Sequence, residues 1–179
     1  MAKRNTIKEG VKKNTMKVKS KTSSSKKSKP IKVLVAHNNR LGYSTTKAHK
    51  FAERIDKNKD YKVIYDKDHW NLGEKTSPTE INKREKEMVQ KADVVTRIIH
   101  SPSKTGQKRH NGALSEERKA IRSSKPIIEI YERGAHESPN RSITEKNYTK
   151  KIKINLKEGE TLDKGFKSGV EKLKKKRLL

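Results

Sequence analysis

Gln90-Lys91-Ala92-Asp93-Val94-Val95, a basic stretch, Gly112-Ala113-Leu114-Ser115-Glu116, then Ala120 and Lys125-Pro126-Ile127-Ile128: the reading of these segments, within residues 90–128, decides the fold. Each of the two β-branched runs follows an amphipathic helical pattern, the mark of adjacent parallel strands joined by a crossover helix. Gly112 opens the helix between them, and Glu116 falls in its first turn. Unpaired backbone N–H groups and the helix dipole favour an ionised carboxylate there, at the mouth of a cleft. The position suits a nucleophile.

Upstream, residues 31–36 read as a buried strand, followed by a polar loop at 37–43. Ser44 or Thr45 is expected to cap a helix that runs to about Ile55, with Ala48, Phe51, Ala52 and Ile55 on one face. A second strand is expected from Tyr61 to Tyr65. Ser77-Pro78-Thr79-Glu80 has the form of a capping box with proline in the first helical position, and the helix continues to Lys91. The third strand is Val94 to Ile99, and the fourth runs from Pro126 to Tyr131. A fifth, from Ile152 to Leu156, precedes a basic helix over about 161–176. Strands alternating with helices through short connections predict an α/β doubly wound domain, Rossmann-like or flavodoxin-like, on a parallel sheet of about five strands. Ligands of such sheets bind beyond the carboxyl ends of the strands. The loops there are residues 37–44, 66–77, 100–111 and 132–143, all polar.

Composition adds a second theme. The 179 residues hold 47 Lys and Arg against 21 Asp and Glu, a formal net charge of +26, with 28% hydrophobic and 4% aromatic residues. Such an excess of lysine points to phosphate-bearing partners, although codon bias in an AT-rich genome has the same effect. Residues 1–30 carry eleven cations, among them Lys12, Lys13, Lys26 and Lys27, against the single acid Glu9. This segment cannot bury enough surface to offset its chain entropy, so it is expected to be a disordered tail, with residues 31–179 as one domain. The absence of cysteine excludes a disulfide framework and thiolate metal sites. His37, His100 and His110 lie in the candidate loops without metal-ligand spacing, so no metal is expected. Neither Gly42 nor Gly106 belongs to a glycine-rich phosphate fingerprint. No apolar run approaches the ~18 residues of a membrane span, which predicts a cytoplasmic protein without membrane contact.

In order, Val33-Leu34-Val35-Ala36, Glu85, Ala92-Asp93-Val94-Val95, Pro102-Ser103, Gly112, Glu116, Ala120 and Lys125-Pro126-Ile127 resemble the nucleoside 2-deoxyribosyltransferase superfamily, including its 2'-deoxynucleoside 5'-monophosphate N-hydrolase branch. The resemblance covers about residues 31–131. It implies cleavage of an N-glycosidic bond in a nucleoside or nucleotide, or deoxyribosyl transfer, with Glu116 as nucleophile and no cofactor. A carboxylate under the anomeric carbon can stabilise or capture the oxocarbenium-like transition state. Glu85 stands where the family places the acid that assists the departing base, although many relatives have Asp there. Ser103 and the backbone around Gly112 would face the sugar or its 5'-phosphate, and Asn38 and Tyr43 would line the sugar side.

Plainer roles exist for each residue. A glutamate in the first turn of a helix is commonly a dipole partner. Glu117, expected to be solvated, competes with Glu116 because a one-residue shift exchanges them. Glu85, between Arg84 and Lys86, reads equally as a surface ion-pair partner, and Asp93 reads as a helix terminator. The basic insertion Lys104-Thr105-Gly106-Gln107-Lys108-Arg109-His110-Asn111 departs from the family and can grip a phosphorylated ligand or a nucleic-acid backbone. The alternative function is therefore a catalytically degenerate α/β module that binds nucleic acid or ribonucleoprotein through Lys104, Lys108, Arg109, the tail, and Lys174, Lys175 and Lys176. A more distant parallel is the NAD-cleaving TIR-like group, which also uses a glutamate after a similar strand. A homodimer is compatible with the pattern.

Overall fold

The computed structural model describes residues 29–36, 42–64, 77–101, 114–136 and 142–179, and of residues 42–45 and 114 the backbone alone. Strand β1 (Ile31–Ala36) leads to helix α1 (Gly42–Asp56) and strand β2 (Tyr61–Ile64). Then follow α2 (Pro78–Lys91), β3 (Val94–Ile99), α3 (Leu114–Arg122), β4 (Ile127–Tyr131), a single-turn α4 (Ile143–Lys146), β5 (Lys151–Asn155) and α5 (Leu162–Lys175). The strands form one parallel sheet in the order β2-β1-β3-β4-β5. This is the doubly wound, flavodoxin-like order, whose direction reverses between β1 and β3.

The strands read as continuous apolar runs because both faces are covered. Val33, Val35, Val94, Ile98, Ile128, Ile130, Ile152 and Ile154 pack under α1 and α5, against Phe51, Phe166, Val170 and Leu173. Leu34, Ala36, Val95 and Ile127 alternate to the other face, against Met88, Val89 and Ala120 of α2 and α3. Two glycines let α5 lie directly on the sheet. A Cβ at Gly169 would come 2.6 Å from Ile128 Cγ2, and one at Gly165 would come 2.8 Å from Leu156 Cδ2.

Several local expectations change. Helix α1 already includes Gly42, so Ser44 and Thr45 lie inside it and neither caps it. Ser77 caps α2 by accepting from Glu80 N at 3.2 Å, with Pro78 in the first turn. The reciprocal half of the box is missing because the Glu80 carboxylate turns instead to Arg84, at 2.6 Å. Asp93 does not terminate α2. Ala92 is its C-cap, while Lys125 Nζ binds the carbonyl oxygens of Gln90 and Ala92. Asp93 Oδ2 accepts from Lys32 N at 2.8 Å and so fastens β3 to β1. The short α4 was unforeseen, although Ser142 and Glu145 form a complete capping box.

Candidate functional site

Helix α3 carries its functional residues on distinct faces because successive side chains are about 100° apart. Ser115 and Lys119, one turn apart, face α2. Ser115 Oγ donates to Glu85 Oε2 at 2.8 Å, and Lys119 Nζ contacts the same oxygen, as well as Ser115 Oγ at 2.7 Å and Asn82 Oδ1 at 3.1 Å. Glu85 is 8% exposed. Its partner is Lys119, across the seam between the two helices, and neither flanking cation, so the expectation of a surface ion pair with Arg84 or Lys86 is corrected. The α2 stripe that buries Met88 and Val89 turns Glu85 inward as well.

Glu117 and Ala120 face the sheet. Glu117 is fully buried, contrary to the expectation that it is solvated. Its Oε2 accepts from Arg97 Nη1 at 2.7 Å, and its other oxygen lies 3.5 Å from Lys151 Nζ. Arg97 Nη1 also meets Glu129 Oε1 at 3.1 Å, and the Tyr131 hydroxyl donates to Glu129 Oε2 at 3.1 Å. Arg97 and Glu129 are register partners on β3 and β4. Two cations and two carboxylates thus balance each other under α3, as burial of ions requires.

Glu116 projects between these two faces. It is 6% exposed, and its Oε2 has no hydrogen-bond partner among the described residues. Burial, reinforced by the nearby charge of Glu85, pushes its carboxyl up to about 8, against smaller opposing effects of its backbone hydrogen bond and the charges of Lys119 and Arg97. At neutral pH Glu116 is therefore largely protonated. An unpaired oxygen on a buried, perturbed carboxyl at the carboxyl edge of a parallel sheet is a mark of a working site.

A second polar cluster lies on the other face of the same edge. His100 Nδ1 is 3.0 Å from Glu132 Oε2, and Lys47 of α1 holds the other oxygen of Glu132. Burial pushes the Glu132 carboxyl up, but the hydrogen bonds and charges of His100 and Lys47 outweigh it and bring it down to about 2. Beside it, Lys47, Arg54, Glu132, Leu156 and Thr161 are among the residues lining a cavity of about 370 Å³. Among the described residues, no group of three or more His, Asp or Glu side chains could hold a metal ion.

Of the residues expected from sequence, Glu85 and Glu116 come together. Asn38, Ser103, Gly112, Lys104, Lys108 and Arg109 lie outside the described residues, as do Lys12, Lys13, Lys26 and Lys27. Tyr43 is in the first turn of α1, where only the backbone is described. Lys174 and Lys175 end α5 and Lys176 caps it, all three exposed. Sequence reasoning missed Arg97, Ser115, Lys119 and Lys151. One signal was available: Arg97 and Glu129 each place a charge in a strand that is otherwise uncharged, which calls for a buried partner.

Fold and site together define a flavodoxin-like α/β domain with a buried pair of carboxyls beside the first turn of the helix that follows β3. No family model matches the chain, and no curated protein matches it. Among solved structures, the CMP N-glycosidase BcmB of Clostridium botulinum is similar with a TM-score of 0.49 and 12% identity, over 78% of this chain and 98% of that one. No helix among the described residues is long and apolar enough to cross a membrane.

Proposed function

We propose that the protein cleaves the N-glycosidic bond of a nucleoside or nucleotide through Glu116, as the resemblance to the deoxyribosyltransferase superfamily implies. The observation that carries this reading is the buried Glu116 carboxyl with its unpaired oxygen, close enough to Glu85 to feel its charge. In the reaction the C1'–N bond breaks and the base leaves with the electron pair, taking up a proton from water. Glu116, once ionised, stabilises the electron-poor anomeric carbon or bonds to it. Attack of water on C1' completes hydrolysis and frees the carboxylate; attack of a second base completes transfer. Because only the ionised form can act as nucleophile, base release should rise with pH toward about 8. The test is release of free base by the purified full chain from a panel of nucleosides, deoxynucleotides and NAD. Release from at least one is expected, and Glu116→Ala should lower it by at least about a thousandfold with the fold intact. A silent panel would sink the reading.

A binding role is favoured by one further observation, the net charge of +26 with its cluster of cations in residues 1–30. Electrostatic association with nucleic acid would be insensitive to sequence and steeply weakened by salt. Deleting residues 1–30 should lower affinity and flatten the salt slope in electrophoretic shift assays at two ionic strengths. Unchanged binding would transfer the role to the rest of the chain, and no binding at low salt would end it.

A further inference from the structure

Lys119 has no role in the chemistry above, yet it is the hub of the seam beside it. Its ammonium meets three side chains: Glu85 and Asn82 from α2, and Ser115 from its own helix. Asn82 and Glu85 are three residues apart on α2, and Ser115 and Lys119 four apart on α3, so each pair shares a helix face and the two faces meet. The side chain of Lys119 is only 17% exposed and that of Glu85 11%, so solvent screens this contact less than a surface ion pair.

We propose that Lys119 is a positioning residue for the carboxyl pair, clamping Glu85 against the first turn of α3 so that Glu85 is charge-compensated while Glu116 is not. This rests on the reading of Glu116 as the reacting carboxylate. Two donors converge on Glu85 Oε2, an arrangement complementary to a carboxylate anion. Glu116, flanked by the charges of Glu85 from α2, Lys119 from its own helix and Arg97 from β3, is left with the proton. Arg97 is tied to Glu117 and Glu129, which leaves Lys119, among the described residues, as the cation that governs the pair.

The experiment reads the carboxyl carbons of the full chain by NMR across pH 4 to 10, with the Glu116 signal assigned by its loss in Glu116→Gln. Lys119→Met should raise the Glu116 midpoint by about one unit, because it removes a cation whose charge lowers it. Lys119→Arg should restore the midpoint to within about 0.3 unit, because a guanidinium supplies the same charge. Lys119→Gln serves as the second neutral variant if Met perturbs the fold, as judged by backbone amide shifts. Unchanged titration of Glu116 in the neutral variants overturns the proposal, whatever the activity. If base release is absent from every variant while the titration shifts as stated, the enzymatic reading fails and the electrostatic role of Lys119 stands. Where base release is present, the alkaline rise of its pH profile should follow the NMR midpoint.

Discussion

Two regions meet in the first turn of α3, and they treat adjacent glutamates in opposite ways. On the sheet side, Glu117 is enclosed by Arg97 and Lys151, with Glu129 and Tyr131 completing a compensated cluster. Beside the α2 seam, Glu116 is almost as deeply buried but keeps an oxygen without a partner and a carboxyl raised to about 8. Burial alone therefore does not set the state of a carboxyl; compensation does. An ion that is paired on both oxygens holds elements together and has little capacity left for a ligand. A carboxyl left uncompensated costs stability, and that cost is characteristic of sites that must react.

The comparison can be broken most directly by neutralising each glutamate in turn. Glu117→Gln leaves Arg97 and Lys151 facing one fewer anion in a buried setting, and should destabilise the fold by about 3–5 kcal/mol. Glu116→Gln removes no hydrogen bond from its Oε2 and escapes the stability lost by the native carboxyl as pH rises, so it should raise stability at neutral pH while abolishing base release. Urea denaturation of both variants checks this. Equal losses would show that Glu116 is as structural as its neighbour.

A smaller effect sharpens the same contrast through pH. The Glu116 carboxyl sits near 8 in the folded protein and near its ordinary 4.5 when unfolded. Between these values the folded state binds the extra proton, so stability from this group is fully present below about 4.5. It declines as pH rises and levels off above about 8. The expected loss from pH 5 to 8.5 is on the order of 3 kcal/mol. Glu116→Gln should flatten this slope, whereas a slope that survives in the variant would assign it to other groups.

What the sequence alone determined is what local periodicity reports. The strands from Ile31, Tyr61 and Val94 begin where the apolar runs predict, and β4 and β5 each lie within one residue of expectation. Ser77 and Pro78 mark the start of α2, and Glu116 falls in the first turn of α3 because backbone preferences and helical period act over a few residues. The resemblance, read from ordered motifs, brought Glu85 and Glu116 to notice as a pair. Only tertiary structure decided which carboxyls would be compensated. The Arg97–Glu129 pair depends on the β3–β4 register across 32 residues, and Lys119 reaches Glu85 across 34, because α2 and α3 pack side by side on one face of the sheet. Glu117 reads as a surface residue in a charged segment until the twist of a single helical turn sets it over the buried guanidinium of Arg97. Neighbouring residues in a helix point about 100° apart, so the chemistry of Glu116 and Glu117 diverges only once something stands in each direction.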